Sequence, residues 1–170
     1  RRDFLIGSTA TALTAASYSR VVGANDRLGM ALVGSGRRGR EVMKAFLATG
    51  SVELHCIADV YDVQRGRARD FLGVKPAEVV AIEDALSRSD VDAVLIATPD
   101  HLHLTHATAA LKAGKHIYLE KPTSHHFDEG AKFIAAAKQF NKVIIQTGTQ
   151  QRSGAHYRRA KEEIFDKGKL

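Results

Sequence analysis

The segment from residue 34 to residue 39 has the residue types and spacing needed to hold a pyrophosphate. It reads Gly34-Ser35-Gly36-Arg37-Arg38-Gly39, a G-x-G-x-x-G pattern between an apolar run and a helix-like stretch. The first glycine permits a tight turn, the second puts no Cβ between backbone and phosphate, and the third lets the helix pack closely on the strand. A helix beginning here also offers free N–H groups to an anion. The pattern predicts a dinucleotide-binding loop, and an ordinary glycine turn is the alternative.

An acidic residue follows this loop at the distance that ribose recognition requires. Asp59 lies twenty positions beyond Gly39, at the end of a second apolar run. A carboxylate at this position accepts hydrogen bonds from ribose hydroxyls and repels a 2′-phosphate, which favours NAD over NADP. Arg37 and Arg38 act in the opposite direction, because an arginine in the loop can hold the phosphate of NADP. We expect NAD, with NADP as the less favoured cofactor.

Lys121 is the candidate for handling a proton. It follows the apolar run 116–119 and precedes Pro122, which restricts the lysine backbone to an extended conformation. A lysine fixed in a crevice can hydrogen-bond a substrate hydroxyl or take part in proton transfer. The alternative is a solvated surface lysine paired with Glu120.

Three histidines have a spacing that invites comparison with a zinc site. They are His101, His103 and His106, in an H-x-H-x-x-H pattern. They fall at the start of a predicted helix, where successive positions point in different directions, and only Asp100 joins them. We therefore predict no metal. His125 and His126 follow Lys121 and border the predicted substrate pocket, without a defined role.

Short apolar runs alternate with helical patterns along the chain. Strands are predicted at 28–33, 52–58, 79–81, 93–97, 115–119 and 143–146, and helices at 37–49, 63–72, 83–88, 102–113, 128–140 and 157–166. Apolar strands of this length separated by helices indicate a parallel sheet covered on both faces. The predicted fold is α/β, a doubly wound parallel sheet of the Rossmann type.

Ligands of such sheets bind beyond the carboxyl ends of the strands. Three chemically distinctive segments fall at that edge. They are the glycine loop, the turn Thr98-Pro99-Asp100 after the fourth strand, and Glu120-Lys121-Pro122 after the fifth. The topology therefore predicts one crevice that contains the loop, the turn and the lysine.

Composition argues against a nucleic-acid partner. The 170 residues are 44% hydrophobic, enough for one ordinary core, and carry a net charge of +6. Residues 1–24 contain three arginines and one aspartate, and residues 151–170 contain six basic and three acidic side chains. The middle of the chain is thus nearly neutral and has no basic stripe for a phosphate backbone.

The first residues resemble an export signal. Arg1-Arg2 precedes Phe4-Leu5 and a mildly apolar segment too short to span a bilayer, and Val22-Gly23-Ala24 offers a cleavage site. We expect a twin-arginine signal at 1–24, a bacterial and periplasmic protein, and no stable membrane anchor. A short amphipathic helix packed on the domain is the alternative. The single Cys56 implies neither a disulfide framework nor a lipid anchor.

The region from about residue 28 to residue 150 resembles the N-terminal half of the glucose–fructose oxidoreductase / inositol dehydrogenase / rhizopine-catabolism (Gfo/Idh/MocA) family. Five motifs in order and spacing make the resemblance specific. They are Val33-Gly34-Ser35-Gly36-Arg37-Arg38-Gly39, Ala58-Asp59-Val60, Ala97-Thr98-Pro99-Asp100 with His103, Ala113-Gly114-Lys115-His116, and Glu120-Lys121-Pro122. The segment Gly148-Thr149-Gln150-Gln151-Arg152 and the leader resemble exported members of the family.

The resemblance implies NAD(P) binding, a sugar, polyol or cyclitol substrate, and contact of Lys121 with that substrate during proton transfer. It also implies that Thr98, Pro99 and His103 line the cofactor cleft. Glu120 is implied near the nicotinamide. The expected cofactor-binding residues are Gly34, Ser35, Gly36, Arg37, Arg38, Gly39, Asp59, Thr98, Pro99, His103 and Glu120.

Family members carry a second α/β domain that supplies substrate contacts, the oligomer interface and a catalytic histidine with an aspartate. We expect a dinucleotide-binding domain at 25–150, the start of a truncated second domain at 151–170, and a homo-oligomer in the full-length protein. Such a fragment should bind nucleotide better than it catalyses a reaction. The expected activity is a hydride-transferring oxidoreductase. The alternatives are an NAD-dependent glycoside hydrolase without net redox change and, less favoured, a sensing module.

Overall fold

Parallel strands and helices alternate along the chain, of which this computed structural model describes residues 27–152 and 154–169. The strands are β1 (Leu28–Val33), β2 (Val52–Ala58), β3 (Ala77–Val79), β4 (Ala93–Ile96), β5 (His116–Glu120) and β6 (Ile145–Gly148). The helices are α1 (Arg37–Leu47), α2 (Asp62–Leu72), α3 (Ile82–Leu86), α4 (His103–Lys112), α5 (Phe127–Gln139) and α6 (Ala155–Ala160). A 3-10 turn covers Asp100–Leu102, and a π-helical turn covers Lys161–Phe165. The predicted signal at 1–24 lies outside the described residues.

The described strands form one sheet in the order β3-β2-β1-β4-β5-β6, and every neighbouring pair is parallel. The chain builds outward from β1 to β3 and then crosses back to place β4 on the other side of β1. This order is that of the Rossmann fold, so the predicted α/β class is confirmed. The order reverses between β1 and β4, which is where such sheets bind ligands.

The central strands are buried on both faces. Ala31 and Val33 of β1 face an apolar cluster formed with α3 and α4, whereas Met30 and Leu32 face a second cluster formed with α1 and α2. Because both faces are covered, the strands are continuously apolar in sequence rather than alternating. Across 27–152 and 154–169, no helix is long and apolar enough to cross a lipid bilayer.

Two strands lie two residues away from their predicted positions. Strand β3 occupies 77–79 rather than 79–81, because Ala77 pairs with Cys56 and the Val79 carbonyl accepts a hydrogen bond from Asp59 N. Its middle residue is the polar Glu78, whose carboxylate pairs with Arg69 at 3.0 Å. Because Glu78 is polar, the apolar residues of the sequence predict this strand two residues too late.

Strand β6 occupies 145–148 rather than 143–146. Val143 instead donates to the Phe140 carbonyl in the turn that follows α5, and pairing with β5 joins Ile117 to Ile145 and Glu120 to Gly148. The final predicted helix, 157–166, is divided into α6 and the π-helical turn.

Candidate dinucleotide and substrate site

The glycine loop has the backbone geometry that its sequence requires. Gly34 has φ +84°, and a Cβ there would lie 2.7 Å from the Thr98 nitrogen, so the turn passes directly against the end of β4. A Cβ at Gly39 would lie 2.2 Å from the Gly34 carbonyl oxygen, which means that only glycine lets α1 pack this closely. A Cβ at Gly36 would meet no described atom within 4 Å. The open space at Gly36 is where a phosphate could approach the backbone.

The N-terminus of α1 adds donors to this space. Gly36 is the N-cap residue, and within the described chain no side chain caps it and no acidic residue lies in the first turn. Arg40 N–H donates to the Gly36 carbonyl at 3.1 Å. By helix geometry, the N–H groups before Arg40 have no intrahelical acceptor. The loop and helix together therefore suit an anion, and the residues present fit a dinucleotide pyrophosphate.

Asp59 lies at the carboxyl end of β2, beside the loop. Its Oδ2 accepts hydrogen bonds from Ser35 N–H at 2.7 Å and Ser35 Oγ at 2.9 Å, and its Oδ1 accepts one from Tyr61 N–H at 3.0 Å. Asp59 also lines a cleft of 370 Å³ at the switch between β1 and β4. The carboxylate is thus held in a fixed orientation at the edge of this cleft.

The cleft has mainly apolar walls. Val60, Val80, Ile82 and Leu102 contribute to them, and Pro99 lies on the same side as Leu102 in the turn after β4. Such walls suit a flat apolar ring beside the Asp59 carboxylate. Of these wall residues only Pro99 was predicted from the sequence, because isolated aliphatic residues after strands do not differ from core residues.

His106 forms the inner wall of the cleft. Its Nδ1 lies 3.2 Å from Thr98 Oγ1. Burial lowers the pKa of His106 below its ordinary value and outweighs the charge of Glu83, which acts in the opposite direction; His103 and His101 also lower this pKa. A neutral imidazole at this position suits a pocket for an uncharged ring.

A second cavity of 280 Å³ lies on the other side of the Thr98 turn. It brings together five predicted residues from α1, the β4 turn, α4 and β5. They are Arg38, Thr98, His103, Glu120 and Lys121. Gln150 and Asp100 complete its rim. Lys121 is exposed, so its ammonium group is available to a ligand.

Arg38 binds Glu120 and not a group near Asp59. Arg38 Nη2 lies 2.8 Å from Glu120 Oε1, with the two side chains 38% and 4% exposed, and this hydrogen bond raises the pKa of Arg38. Glu120 ends β5 and Asp59 follows β2, on opposite sides of β1. A Cβ at Gly148 would lie 2.8 Å from Glu120 Oε1, so glycine in β6 makes room for the pair.

The other loop arginine faces solvent. Arg37 Nε pairs with Glu41 at 2.9 Å one turn along α1, which raises the pKa of Arg37 and lowers that of Glu41. Two arginines lie near Asp59: Arg40 Nη1 donates to the Ser35 carbonyl at 3.0 Å and to Gln64 Oε1 at 2.6 Å, and Arg65 Nη1 donates to the backbone carbonyl of Asp59. Arg40 is not among the residues predicted from the sequence, although its place one turn beyond Gly36 on the same helix indicates that it lies next to the glycine loop.

His103 connects the two crevice segments from inside the protein. Only 2% of the residue is exposed, and its Nδ1 and Nε2 lie 2.5 Å and 3.0 Å from the carbonyl oxygens of Pro122 and Thr98. The tautomer decides which nitrogen donates. The Lys121–Pro122 peptide bond is cis. His103 therefore holds the segment after Lys121 against the turn after β4.

The three histidines of the H-x-H-x-x-H pattern have different neighbours in the described part of the chain: His101 packs on His125, His103 contacts two carbonyls, and His106 contacts Thr98. His103 is buried between two carbonyls, and no group of three or more possible ligands that could hold a metal occurs within residues 27–152 and 154–169. His125 Nδ1 instead lies 3.3 Å from Asp100 Oδ2, which lowers the pKa of Asp100. This pair links the β4 turn to the loop that follows Lys121.

A parallel sheet with a glycine loop and an uncapped helix at its switch point defines a nucleotide-binding Rossmann domain. A family described as oxidoreductases with an NAD-binding Rossmann fold, GFO_IDH_MocA, matches residues 28–149. The chain belongs to this family, which confirms the resemblance read from the five motifs.

Similar proteins include several dehydrogenases and reductases. Inositol 2-dehydrogenase of Rhodococcus erythropolis is 30% identical over 86% of this chain and 42% of its own length, and 1,5-anhydro-D-fructose reductase of Ensifer adhaerens is 29% identical over 79% and 40%. A glycosyl hydrolase family 109 protein of Solibacter usitatus is 26% identical over 72% and 30%.

A solved structure of scyllo-inositol dehydrogenase from Lactobacillus casei, with bound NAD(H) and scyllo-inositol, superposes with a TM-score of 0.74 at 29% identity. The superposed region covers 85% of this chain and 42% of the Lactobacillus casei chain. The chain thus spans less than half the length of these relatives.

Proposed function

We propose that this chain binds NAD(H) across the switch between β1 and β4. The adenosine would occupy the 370 Å³ cleft beside Asp59, the pyrophosphate would face Gly36, and the nicotinamide would extend toward the 280 Å³ cavity beside Lys121. The carrying observation is the uncapped helix N-terminus with open space at Gly36, in a loop whose Gly34 lines the first cavity and whose Arg38 lines the second.

The proposed reaction is oxidation or reduction of a CH–OH group in a sugar, polyol or cyclitol. Bound NAD would accept the hydride in the oxidation, and bound NADH would donate it in the reduction. Lys121 donates a hydrogen bond to the substrate hydroxyl and takes part in moving its proton. His103 fixes the segment after Lys121, and the ion pair of half-buried Arg38 with buried Glu120 forms one wall of the cavity. The names of the inositol and anhydrofructose enzymes support this substrate class.

Gly36 offers a direct test of the binding site. We expect G36V to fold normally, because Gly36 has φ −60° and a Cβ there meets no described atom. Its side chain would occupy the space proposed for the phosphates, so NADH affinity should fall at least about tenfold. Titration of NADH fluorescence measures the affinity, and urea unfolding measures the stability.

G130V is the control, because a Cβ at Gly130 in α5 also meets nothing described within 4 Å. It should leave NADH affinity unchanged. Equal affinity for NADH in G36V and the wild-type chain would contradict the proposed site.

An NAD-dependent glycoside hydrolase is the second candidate, supported by the similarity to the family 109 protein. Such an enzyme oxidises and re-reduces the same sugar, whereas a dehydrogenase accumulates NADH. Absorbance of NADH during turnover by the full-length protein distinguishes the two. Sugar release without NADH accumulation would favour the hydrolase.

We also propose that the protein is exported by the twin-arginine pathway and that the full-length protein forms a homo-oligomer. The leader is tested by fusing residues 1–24 to a reporter and replacing Arg1 and Arg2 with lysine. We expect periplasmic reporter only with the arginine pair. Light scattering of the full-length protein tests its oligomeric state.

A further inference from the structure

Ser35 uses every one of its polar groups at the edge of the cleft. Its N–H and Oγ both donate to Asp59 Oδ2, over 2.7 and 2.9 Å, and its carbonyl accepts from Arg40 Nη1 at 3.0 Å. The residue itself has 0% exposure, whereas Asp59 is half-buried and lines the cleft. Ser35 therefore supports the carboxylate from beneath and leaves its open side to a ligand.

The hydroxyl bond adds a constraint that the backbone does not supply. Any residue other than proline at position 35 presents an N–H to Asp59, but the second donor on the same oxygen restricts rotation of the carboxylate. Tyr61 N–H holds the other oxygen at 3.0 Å. A carboxylate has about four acceptor sites, so these three donors leave roughly one for a ligand hydroxyl in a defined direction.

We propose that Ser35 is a positioning residue for cofactor choice, whose hydroxyl fixes Asp59 to accept a ribose hydroxyl and oppose a 2′-phosphate. This inference rests on the proposed NAD binding. Without the hydroxyl the carboxylate gains freedom to rotate away from the ribose. The bond to the ribose weakens, and so does the repulsion of a phosphate, which Arg40 on the other side of Ser35 can then attract.

The experiment compares binding of NADH and NADPH, which differ only in the 2′ group of the adenosine ribose. Dissociation constants are measured for wild type and S35A. We expect the preference for NADH to fall on the order of tenfold in S35A, as for loss of a hydrogen bond to a charged acceptor. S87A is the matched control, because Ser87 Oγ donates only to the Asp84 carbonyl at 3.0 Å among the described residues. Its nucleotide preference should equal that of the wild type.

A double-variant cycle separates positioning from a general effect on the loop. In a D59N background the serine no longer orients a charge, so S35A should leave the NADH/NADPH ratio unchanged. S35C keeps most of the volume with a weaker donor and should give an intermediate ratio, which also serves if S35A does not fold.

The outcomes distinguish this inference from the proposal on which it rests. Unchanged nucleotide preference in S35A and S35C, with NADH still bound, overturns the role of Ser35 alone. An equal effect of S35A with and without D59N also overturns it. If the wild-type chain binds neither nucleotide, the proposed function fails and this inference fails with it.

Discussion

Adjacent arginines in the glycine loop occupy different environments. Arg38 turns inward to Glu120, whose carboxylate is 4% exposed, whereas Arg37 lies on the surface with Glu41. The other Glu120 oxygen, Oε2, is buried and has no hydrogen-bond partner among the described residues. A buried carboxylate in this state depends on its single cation, because an unpaired buried charge is costly.

We expect R38M to lower the free energy of unfolding by about 2 kcal/mol, less than for a fully buried pair because Arg38 is partly exposed. R37M is the control and should leave stability unchanged, since its ion pair is solvated. Urea unfolding of the two variants measures the difference. Equal stabilities would show that the Glu120 carboxylate does not need Arg38.

The close packing of helix α1 on strand β1 depends on Gly39. The helix begins directly after the loop, so any displacement of α1 also moves the N–H groups proposed for the phosphates. G39A would bring a Cβ to 2.2 Å from the Gly34 carbonyl oxygen. We expect it to destabilise the fold by about 3 kcal/mol, because backbone must shift.

G36A serves as the control from the same loop, since its Cβ meets no described atom within 4 Å. Its effect on unfolding should stay below about 0.5 kcal/mol. A small cost in both variants would mean that α1 can move away from β1 freely.

His103 connects three elements: the turn after β4, the start of α4 and the segment after β5. H103A removes both ring contacts with the Thr98 and Pro122 carbonyls and leaves a void, so we expect a loss of about 3 kcal/mol. Hydrogen exchange in residues 121–126 should also accelerate. The exposed His156 in α6 provides the control H156A, which should change neither measurement.

The sequence predicts the parallel sheet, and it predicts that the glycine loop, the turn after β4 and Lys121 lie at the same edge of that sheet. Continuous apolar runs marked the buried strands, and glycine spacing marked the loop. Strand β3 was misplaced because its register depends on pairing with β2 rather than on its own polar Glu78. The Arg38–Glu120 pair and the Ser35–Asp59 bonds join residues 82 and 24 positions apart, and no local pattern records such partners.

The half-buried His106 in the cleft affects how the stability of the whole protein depends on pH. Burial lowers the pKa of His106 below its ordinary value of 6.5. The unfolded chain therefore binds more protons than the folded protein between the two pKa values. The stability contributed by neutral His106 is complete above the unfolded pKa and is lost as the pH falls through the folded pKa.

We expect H106Q to flatten the decrease in the free energy of unfolding between about pH 7 and pH 5. Glutamine retains a polar partner for Thr98 Oγ1 without titrating. Urea unfolding at several pH values measures the slope for each variant. An identical slope in wild type and H106Q would assign the pH dependence to other groups.

The strand order has a consequence for redesign. The Asp59 carboxylate and its partner Ser35 lie on the β2 side of β1. Glu120 is the last residue of β5 and Lys121 follows it, so strand β4 separates these two residues from Asp59 and Ser35. Mutations that exchange one nucleotide for another therefore need not pass through the residues that would contact a polyol. On the proposed function, nucleotide preference and polyol preference can therefore be altered in separate mutational steps.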